Sequence, residues 1–186
     1  VAISNSDMPL SYVSENTAKG FDVELMIAFA REYGYKIDFV AVDFEAKLGG
    51  IASNKYDIAI GGITVTDERR EEMNFTVSYY ESPVVMVTKG QDNAGSTLSD
   101  LAGKKVGVMT ASIQAVMMPE LVPDAEYMEF NSISDMIAAL NSNKIDAFGC
   151  DESLYTSMLW EGQAVDRIDE PIDKSNYGLI FQKGKK

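Results

Sequence analysis

The segment 61–70, with the sequence GGITVTDERR, carries side chains suited to holding a small charged ligand. Its two glycines let a ligand approach the backbone closely. Thr64 offers a hydroxyl, and Thr66 precedes two acidic residues in the manner of a helix N-cap. Arg69 is the principal candidate, because a guanidinium group matches a carboxylate through two parallel hydrogen bonds. The alternative is that Arg69 and its neighbour Arg70 decorate a solvated turn.

Two polar residues in the second half of the chain also follow apolar strands. The segment 106–114 reads as a strand that runs into the start of a helix, where Ser112 and free backbone amides favour an anion. Ser112 as a simple N-cap is the alternative, and the two roles are compatible. Asp151 follows the apolar segment 147–150, and a carboxylate there suits a ligand ammonium group. Its alternative role is the N-cap of the helix that begins at Glu152.

Composition excludes several classes of protein. The chain has 186 residues, of which 46% are hydrophobic and 24% are charged, as in ordinary globular proteins. The net charge of −13 disfavours nucleic-acid binding, because phosphate backbones repel such a surface. The chain has no histidine and a single cysteine, Cys150. A Ser-His-Asp or Cys-His nucleophile and a histidine- or cysteine-rich metal site are therefore excluded, and we expect no metal and no cofactor.

Local patterns predict the elements that must position these residues. Apolar residues at helical spacing predict a helix over 21–33, with Asp22 as a plausible N-cap and Gly34 as its stop. The segment 16–20 is turn-like, and 36–42 alternates like a strand. A second helix is predicted over 44–53, and Asp57–Ile60 is a short buried strand.

The same order of elements occurs twice. The pattern Ser-Asn-Lys-x-Asp stands at 53–57 and again at 142–146, each time between a predicted helix and a short apolar strand. Repeated β-α-β-α-β order is typical of a mostly parallel sheet. We therefore predict an α/β fold with two Rossmann-like lobes, joined where an apolar strand leads into the polar stretch 90–96. The predicted boundaries are 1–88 with 177–186 for the first lobe and 89–176 for the second.

Ligands of open α/β sheets lie beyond the carboxyl ends of the strands. Two such lobes joined by extended strands make a cleft, which is where we expect the ligand. The residues that directly follow the predicted strands are therefore the candidates for ligand contacts, and they lie at 5–10, 43–44, 61–70, 109–114 and 151–152.

Several motifs, in order along the chain, resemble one family. They are GFDVEL at 20–25, NKYD at 54–57, GITVTDER at 62–69, FT at 75–76, YY at 79–80, KVGV at 105–108 and KIDAFGCD at 144–151. Together they resemble the polar amino-acid group of bacterial extracellular solute-binding proteins, which have the type II periplasmic binding protein fold. The resemblance covers nearly the whole chain, and its Thr-Asp-Glu-Arg element is specific.

The resemblance implies roles for individual residues. Arg69 would bind the α-carboxylate of an amino acid, helped by Thr64 and by Ser112 with its neighbouring amides. Asp151 would hold the α-ammonium, with the Gly62 carbonyl as a further acceptor. The position of a pocket-wall aromatic residue matches Phe44, for which core packing at a helix start is the alternative.

The chain departs from the family pattern in three places. Asp7 stands where the family often has an aromatic residue, and it either selects a polar or cationic ligand side chain or faces solvent. The turn after Met109 reads Thr-Ala-Ser-Ile where Gly-Thr is common, so that Ala111 and Ile113 narrow the turn. Family members usually continue with further helices beyond the strand predicted at 177–182, so we expect a C-terminally shortened member or a trimmed chain.

The function that follows is non-catalytic binding of a small amino acid or analogue by hinge closure of two lobes. The partner would be a membrane permease of an ATP-driven (ABC) importer or a fused membrane sensor, and the location would be periplasmic or extracellular, with any signal peptide removed. One alternative is an enzyme on the same scaffold, a dehydratase or a cell-wall-related protein. The other is the ligand-sensing effector domain of a transcription regulator, which the absence of a DNA-binding segment disfavours.

Overall fold

The computed structural model describes residues 1–90 and 96–184. The chain forms two compact units, one made of Val1–Glu81 with Ser175–Lys186 and the other of Ser82–Lys174. Residues 82–88 lie in the second unit, where Val84–Thr88 pair with the strand Ala147–Asp151. Residues 91–95 of the polar stretch predicted as a crossover lie outside the described residues.

The first unit starts with short strands and three helices. In chain order these are β1 (Ala2–Ile3), β2 (Ser6–Asp7), β3 (Ser11–Ser14), β4 (Thr17–Lys19), α1 (Phe21–Tyr33), β5 (Val40–Ala41), α2 (Phe44–Ala52), β6 (Ile58–Ala59), α3 (Asp67–Glu72) and β7 (Met73–Phe75). The strand β8 (Tyr80–Lys89) then continues from the first unit into the second.

The second unit follows the predicted alternation closely. Its elements are a 3-10 helix (Leu98–Leu101), β9 (Lys105–Met109), α4 (Ile113–Leu121), β10 (Glu126–Phe130), α5 (Ile133–Asn141), β11 (Ala147–Asp151), α6 (Glu152–Trp160) and β12 (Val165–Ile168). The chain returns to the first unit through β13 (Lys174–Tyr177) and ends its regular structure with β14 (Ile180–Gln182).

Each unit has one central mixed sheet. The order in the first is β5-β1-β6-β14-β7, in which β5, β1 and β6 are parallel and β14 is antiparallel to both of its neighbours. The order in the second is β10-β9-β11-β8-β12, with β10, β9 and β11 parallel. The parallel strands bring their carboxyl ends to one edge of each sheet, which is where ligand-binding residues collect in α/β folds.

The start of α1 differs from the prediction, because Asp22 is not its N-cap. Gly20 takes that position with a φ of 115°, and a Cβ there would lie 2.3 Å from the carbonyl oxygen of Leu10. Asp22 falls in the first turn, fully buried. The end at Gly34 is as predicted, with a left-handed φ of 75° and its N–H bonded to the carbonyl oxygen of Ala30.

The turn predicted at 16–20 is also wrong, since Thr17–Lys19 forms β4 of a small antiparallel sheet with β2 and β3. Apolar clusters support both units, with Ile3, Val23, Met26 and Ile60 at the centre of one in the first unit. Among the described residues, no helix is long and apolar enough to cross a bilayer.

Candidate functional site

Arg69 is held in a defined position by the start of α3. Thr66 caps this helix, and its hydroxyl accepts a hydrogen bond from the Arg69 N–H at 3.2 Å. The Arg69 side chain turns back, and its Nη1 donates to the carbonyl oxygen of Thr64 at 2.8 Å. Its guanidinium carbon lies 5.5 Å from the centre of the Phe44 ring. Arg69 is half-buried in these contacts, which disagrees with the alternative of a solvated turn.

Arg70, the adjacent arginine, has different surroundings. It is exposed, and its guanidinium carbon lies 5.6 Å from the centre of the Phe75 ring. Its carbonyl oxygen accepts a hydrogen bond from Lys183. The two arginines therefore have different neighbours. Of the two, only Arg69 contacts other predicted site residues, namely Thr64 and Phe44.

The backbone before Arg69 depends on its glycines. Gly61 has a φ of 113° and Gly62 a φ of 61°, both in the left-handed half of conformational space that side chains disfavour. A Cβ on Gly62 would meet nothing within 4 Å, so conformation alone calls for glycine there. A Cβ on Gly61 would lie 2.8 Å from Ser11 Oγ and 2.9 Å from Lys47 Nζ, so these side chains also crowd any larger residue at this position.

Lys47 is not among the site residues predicted from the sequence. It is fully buried in α2, and its Nζ donates to Ser4 Oγ at 2.5 Å and to the carbonyl oxygen of Gly61 at 2.6 Å. Its Nζ also lies 4.8 Å from the centre of the Phe44 ring. The sequence feature that could have indicated its burial is its position on the apolar face of the helix, three residues after Phe44 and four before Ile51.

Two buried carboxylates act on Lys47. Burial lowers the pKa of Lys47 to about 8, while the charges of Asp7 and Asp22 oppose that shift and the charge of Arg69 adds to it. Asp7 is only 8% exposed, so its alternative of facing solvent does not hold. Burial also raises the pKa of Asp22 to about 6, although the hydrogen bond from Tyr79 counteracts this rise.

In the second unit, Ser112 is the N-cap of α4. Its hydroxyl accepts a hydrogen bond from the Ala115 N–H at 3.2 Å, and its own N–H donates to the carbonyl oxygen of Met109 at 3.0 Å. The turn contains Ala111 with a φ of 62°, an uncommon value for a residue with a side chain. Ser112 and Met109 are buried, whereas Ile113 is half-buried.

Asp151 is the last residue of β11 and is 7% exposed. It occupies the N-cap position of α6 but makes no side-chain capping bond. The amide of Ser153 at that helix start donates to Ser82 Oγ at 3.2 Å instead. The Asp151 carboxylate accepts a hydrogen bond from Gln114 Nε2 at 3.1 Å, in a buried position. Asp151 is therefore the N-cap of α6 by position, as the alternative predicts, but without a side-chain capping bond.

The side chain of Gln114 was likewise not singled out by the sequence. Gln114 packs closely against Gly149, where a Cβ would lie 3.3 Å from the Gln114 Cβ. The absence of a side chain on Gly149 therefore gives Gln114 the space from which it reaches Asp151. The structure thus brings Ser112, Ile113 and Gln114 together at the start of α4, with Gln114 linking this turn to Asp151. Within the described residues no cluster of three or more His, Cys, Asp or Glu side chains could hold a metal ion.

Two α/β units, each with charged side chains at the carboxyl ends of the parallel strands of its sheet, are typical of proteins that bind small polar ligands. The sequence model for bacterial extracellular solute-binding proteins, family 3, matches residues 1–120. The chain therefore belongs to this family. Solved structures of similar proteins have the same fold, that of the type II periplasmic binding proteins.

Two curated relatives illustrate the similarity. The arginine-binding extracellular protein ArtP of Bacillus subtilis is 35% identical over 141 residues, which make up 75% of this chain and 55% of that protein. A probable histidine-binding protein of Campylobacter jejuni is 27% identical over 178 residues, or 95% of this chain and 69% of that protein. The chain thus spans about half to two thirds of the length of these relatives.

Solved structures agree over almost the whole chain. An ancestral arginine-binding protein bound to arginine superposes with a TM-score of 0.91 at 28% identity, covering 98% of this chain and 83% of that one. The amino acid ABC transporter substrate-binding protein AbpA of Streptococcus pneumoniae, bound to L-arginine, gives a TM-score of 0.92 at 26% identity, with coverage of 98% and 80%. All of these similar proteins are named as binding proteins.

Proposed function

We propose that this protein binds a free amino acid without transforming it. The observation that carries the proposal is the position of Arg69, which is half-buried and anchored through Nη1 to the Thr64 carbonyl oxygen, with Phe44 beside it. A guanidinium held in this way is pre-organised for a carboxylate, because little side-chain freedom is left to lose on binding.

The second charge of the ligand would be met in the second unit. An amino acid is a zwitterion, and Asp151 offers its ammonium a buried carboxylate whose orientation is set by Gln114. We assign the Gly62 carbonyl as a further acceptor for the ammonium. The hydroxyls of Thr64 and Ser112, with the amides that follow Ser112, would assist Arg69 at the carboxylate.

The ligand side chain would contact the remaining predicted residues. Phe44 supplies an aromatic wall in the first unit, and Met109 with Ile113 supply apolar atoms in the second. Asp7 belongs to the proposed site in the first unit, where its charge acts on Lys47. The names of the relatives include arginine and histidine, which supports a polar amino acid as the ligand class.

The biological role that fits this family is delivery of the ligand, outside the cytoplasm, to the membrane permease of an ABC importer. The name of AbpA, an ABC transporter substrate-binding protein, supports this assignment. A membrane sensor that carries the same domain is the alternative left open by the sequence. No nucleic acid and no cofactor takes part in the proposed function.

A thermal-shift screen against the twenty amino acids tests the proposal. A ligand at a hundred times its Kd stabilises the folded protein by about 2.7 kcal/mol, which raises the unfolding temperature by several degrees. We expect one or a few polar amino acids to do so and to be recovered unchanged after incubation. Either a flat response to all twenty or conversion of the bound amino acid into a product would disprove the proposal.

A further inference from the structure

A chain of hydrogen bonds in the first unit passes through the backbone of Gly61. Asp22 Oδ1 accepts a hydrogen bond from the Tyr79 hydroxyl at 2.9 Å, and the Gly61 backbone bonds to that same hydroxyl. On its other side, the Gly61 carbonyl oxygen accepts from Lys47 Nζ at 2.6 Å. The Gly61 backbone is therefore held both by the Tyr79 hydroxyl and by Lys47.

The same ammonium group continues the chain towards β1. Lys47 Nζ donates to Ser4 Oγ at 2.5 Å, and the Ser4 N–H donates to Ser11 Oγ at 3.1 Å. Ser4 directly follows β1, while Gly61 lies just beyond β6, its parallel neighbour. One side chain from α2 thus ties together the carboxyl ends of both strands.

Burying an ammonium group is costly unless it is paired and fully hydrogen-bonded. Lys47 is fully buried, and α2 would gain stability from an apolar residue at this position on its inner face. The groups that face Lys47 are Asp7 from β2, Asp22 from α1, Arg69 from α3, and the Phe44 ring from its own helix. The buried charge of Lys47 therefore fits a role in positioning the groups that it contacts.

We propose that Lys47 is a positioning residue for ligand binding, whose ammonium group orients the Gly61–Gly62 backbone and the Phe44 ring for the ligand. This inference rests on the proposed amino-acid-binding function and assigns a new residue to that site. Through the Gly61 carbonyl, Lys47 fixes the plane of the Gly61–Gly62 peptide, which directly precedes the Gly62 carbonyl assigned to the ligand ammonium. Lys47 Nζ lies 4.8 Å and the Arg69 guanidinium carbon 5.5 Å from the centre of the Phe44 ring. Lys47 therefore also holds the aromatic ring that lies beside Arg69.

The role depends on the positive charge as well as on the shape of the side chain. A neutral amine can still donate two hydrogen bonds, but these are weaker than charge-assisted ones. Loss of the proton would also leave Asp7 and Asp22 without their shared cation. Because burial lowers the pKa of Lys47 to about 8, the charge is lost at moderately alkaline pH.

The test compares the dissociation constants of wild-type protein and Lys47→Met from pH 7 to pH 10. The probes are L-arginine and L-glutamine, and isothermal titration gives Kd for each. We expect Kd of the variant to be about ten- to hundredfold higher at pH 7, from the loss of charged hydrogen bonds. The ratio of the two Kd values should then fall towards one by pH 10, because the wild type loses the same charge. Titration of the ligand's own amine cancels in this ratio.

Lys55→Met is the matched control, since Lys55 is exposed and its ammonium lies over the Tyr56 ring, 5.3 Å from the ring centre. It should bind as the wild type does at every pH. If Lys47→Met does not fold, the double variant Lys47→Met/Asp22→Asn removes the carboxylate left without its cation, and the same ratio is measured.

The outcomes separate the two proposals. A Kd ratio that stays constant with pH, or equals one throughout, overturns the role of Lys47 while leaving amino-acid binding intact. If the wild type binds neither probe nor any of the other amino acids, the proposed function itself fails, and the role of Lys47 fails with it.

Discussion

Gln114 donates a hydrogen bond to Asp151 at 3.1 Å across 37 positions of sequence, and both side chains are buried. One oxygen of the Asp151 carboxylate is therefore oriented by a side chain from the first turn of α4. In the proposed function this carboxylate meets the ammonium of the ligand, so the bond links the recognition of that charge to the helix start capped by Ser112.

The first prediction follows from that bond. Asp151→Asn should raise Kd by roughly 30- to 4,000-fold, because about 2–5 kcal/mol is lost when a buried charge has no partner. Gln114→Leu keeps the Asp151 carboxylate but removes the hydrogen bond that orients it, and we expect Kd to rise about tenfold. Isothermal titration measures both. Asp124→Asn, an exposed site in the same unit, should change nothing, and an equal loss in all three variants would refute the assignment.

The second prediction separates the two adjacent arginines. Arg69→Ala should weaken binding by about 2–5 kcal/mol, since its guanidinium is the proposed partner of the ligand carboxylate. Arg70→Ala should leave the affinity unchanged, because Arg70 lies over Phe75 and is exposed. Titration of both variants with the same amino acid decides the matter. A larger loss from Arg70→Ala would show that the carboxylate partner has been misassigned by one residue.

The third prediction concerns the pH dependence of stability. The pKa of Asp22 is about 6 in the folded protein, against an ordinary value of 3.8. The folded state therefore holds a proton that the unfolded state has already lost, and stability falls as pH rises from about 4 to 6. The difference of about 2 units amounts to about 3 kcal/mol. Thermal unfolding of wild type and Asp22→Asn across this range measures it.

The variant should lack this fall in stability, because asparagine does not ionise. Glu24→Gln provides the comparison, as an exposed acid in the same first turn of α1. It should follow the wild-type curve. Parallel curves for wild type and Asp22→Asn would mean that the burial of this carboxyl group does not govern its titration.

The fourth prediction contrasts two neighbouring glycines. Gly61→Ala should reduce the free energy of unfolding by about 2–5 kcal/mol, because it adds close contacts with Ser11 and Lys47 to an unfavourable φ. Gly62→Ala has open space around it and should cost only about 1–2 kcal/mol, from its φ of 61°. Urea unfolding reports both changes, and a Gly62→Ala loss as large as that of Gly61→Ala would contradict the packing argument.

Local signals predicted the helices well and the strands less well. The helix Phe21–Tyr33 has its predicted bounds, because apolar spacing and the stop at Gly34 both lie within the segment itself. The segment 36–42 was predicted as a strand, but only Val40–Ala41 is one. Its partner β1 is two residues long, so the ladder is limited to the pairs that Ala2 and Ile3 provide.

The candidate site could be predicted only in part for the same reason. Arg69, Asp151 and Ser112 follow predicted strands or begin predicted helices, so sequence position alone indicated them. Lys47 acts on a serine 43 positions away, and the partner of Gln114 is 37 positions away. Such long-range contacts leave no mark on local sequence patterns, apart from a charged residue on an otherwise apolar helix face.

The position of β14 in its sheet has a consequence for how the chain acquires its structure during synthesis. β14 lies between β6 and β7, and in the part of the chain that the structure describes, β7 joins the sheet only through it. A nascent chain that has emerged as far as residue 174 contains the whole second unit, which is continuous in sequence, yet only an unfinished first sheet. The second unit is therefore complete in the nascent chain before the first unit is, although synthesis of the first begins earlier.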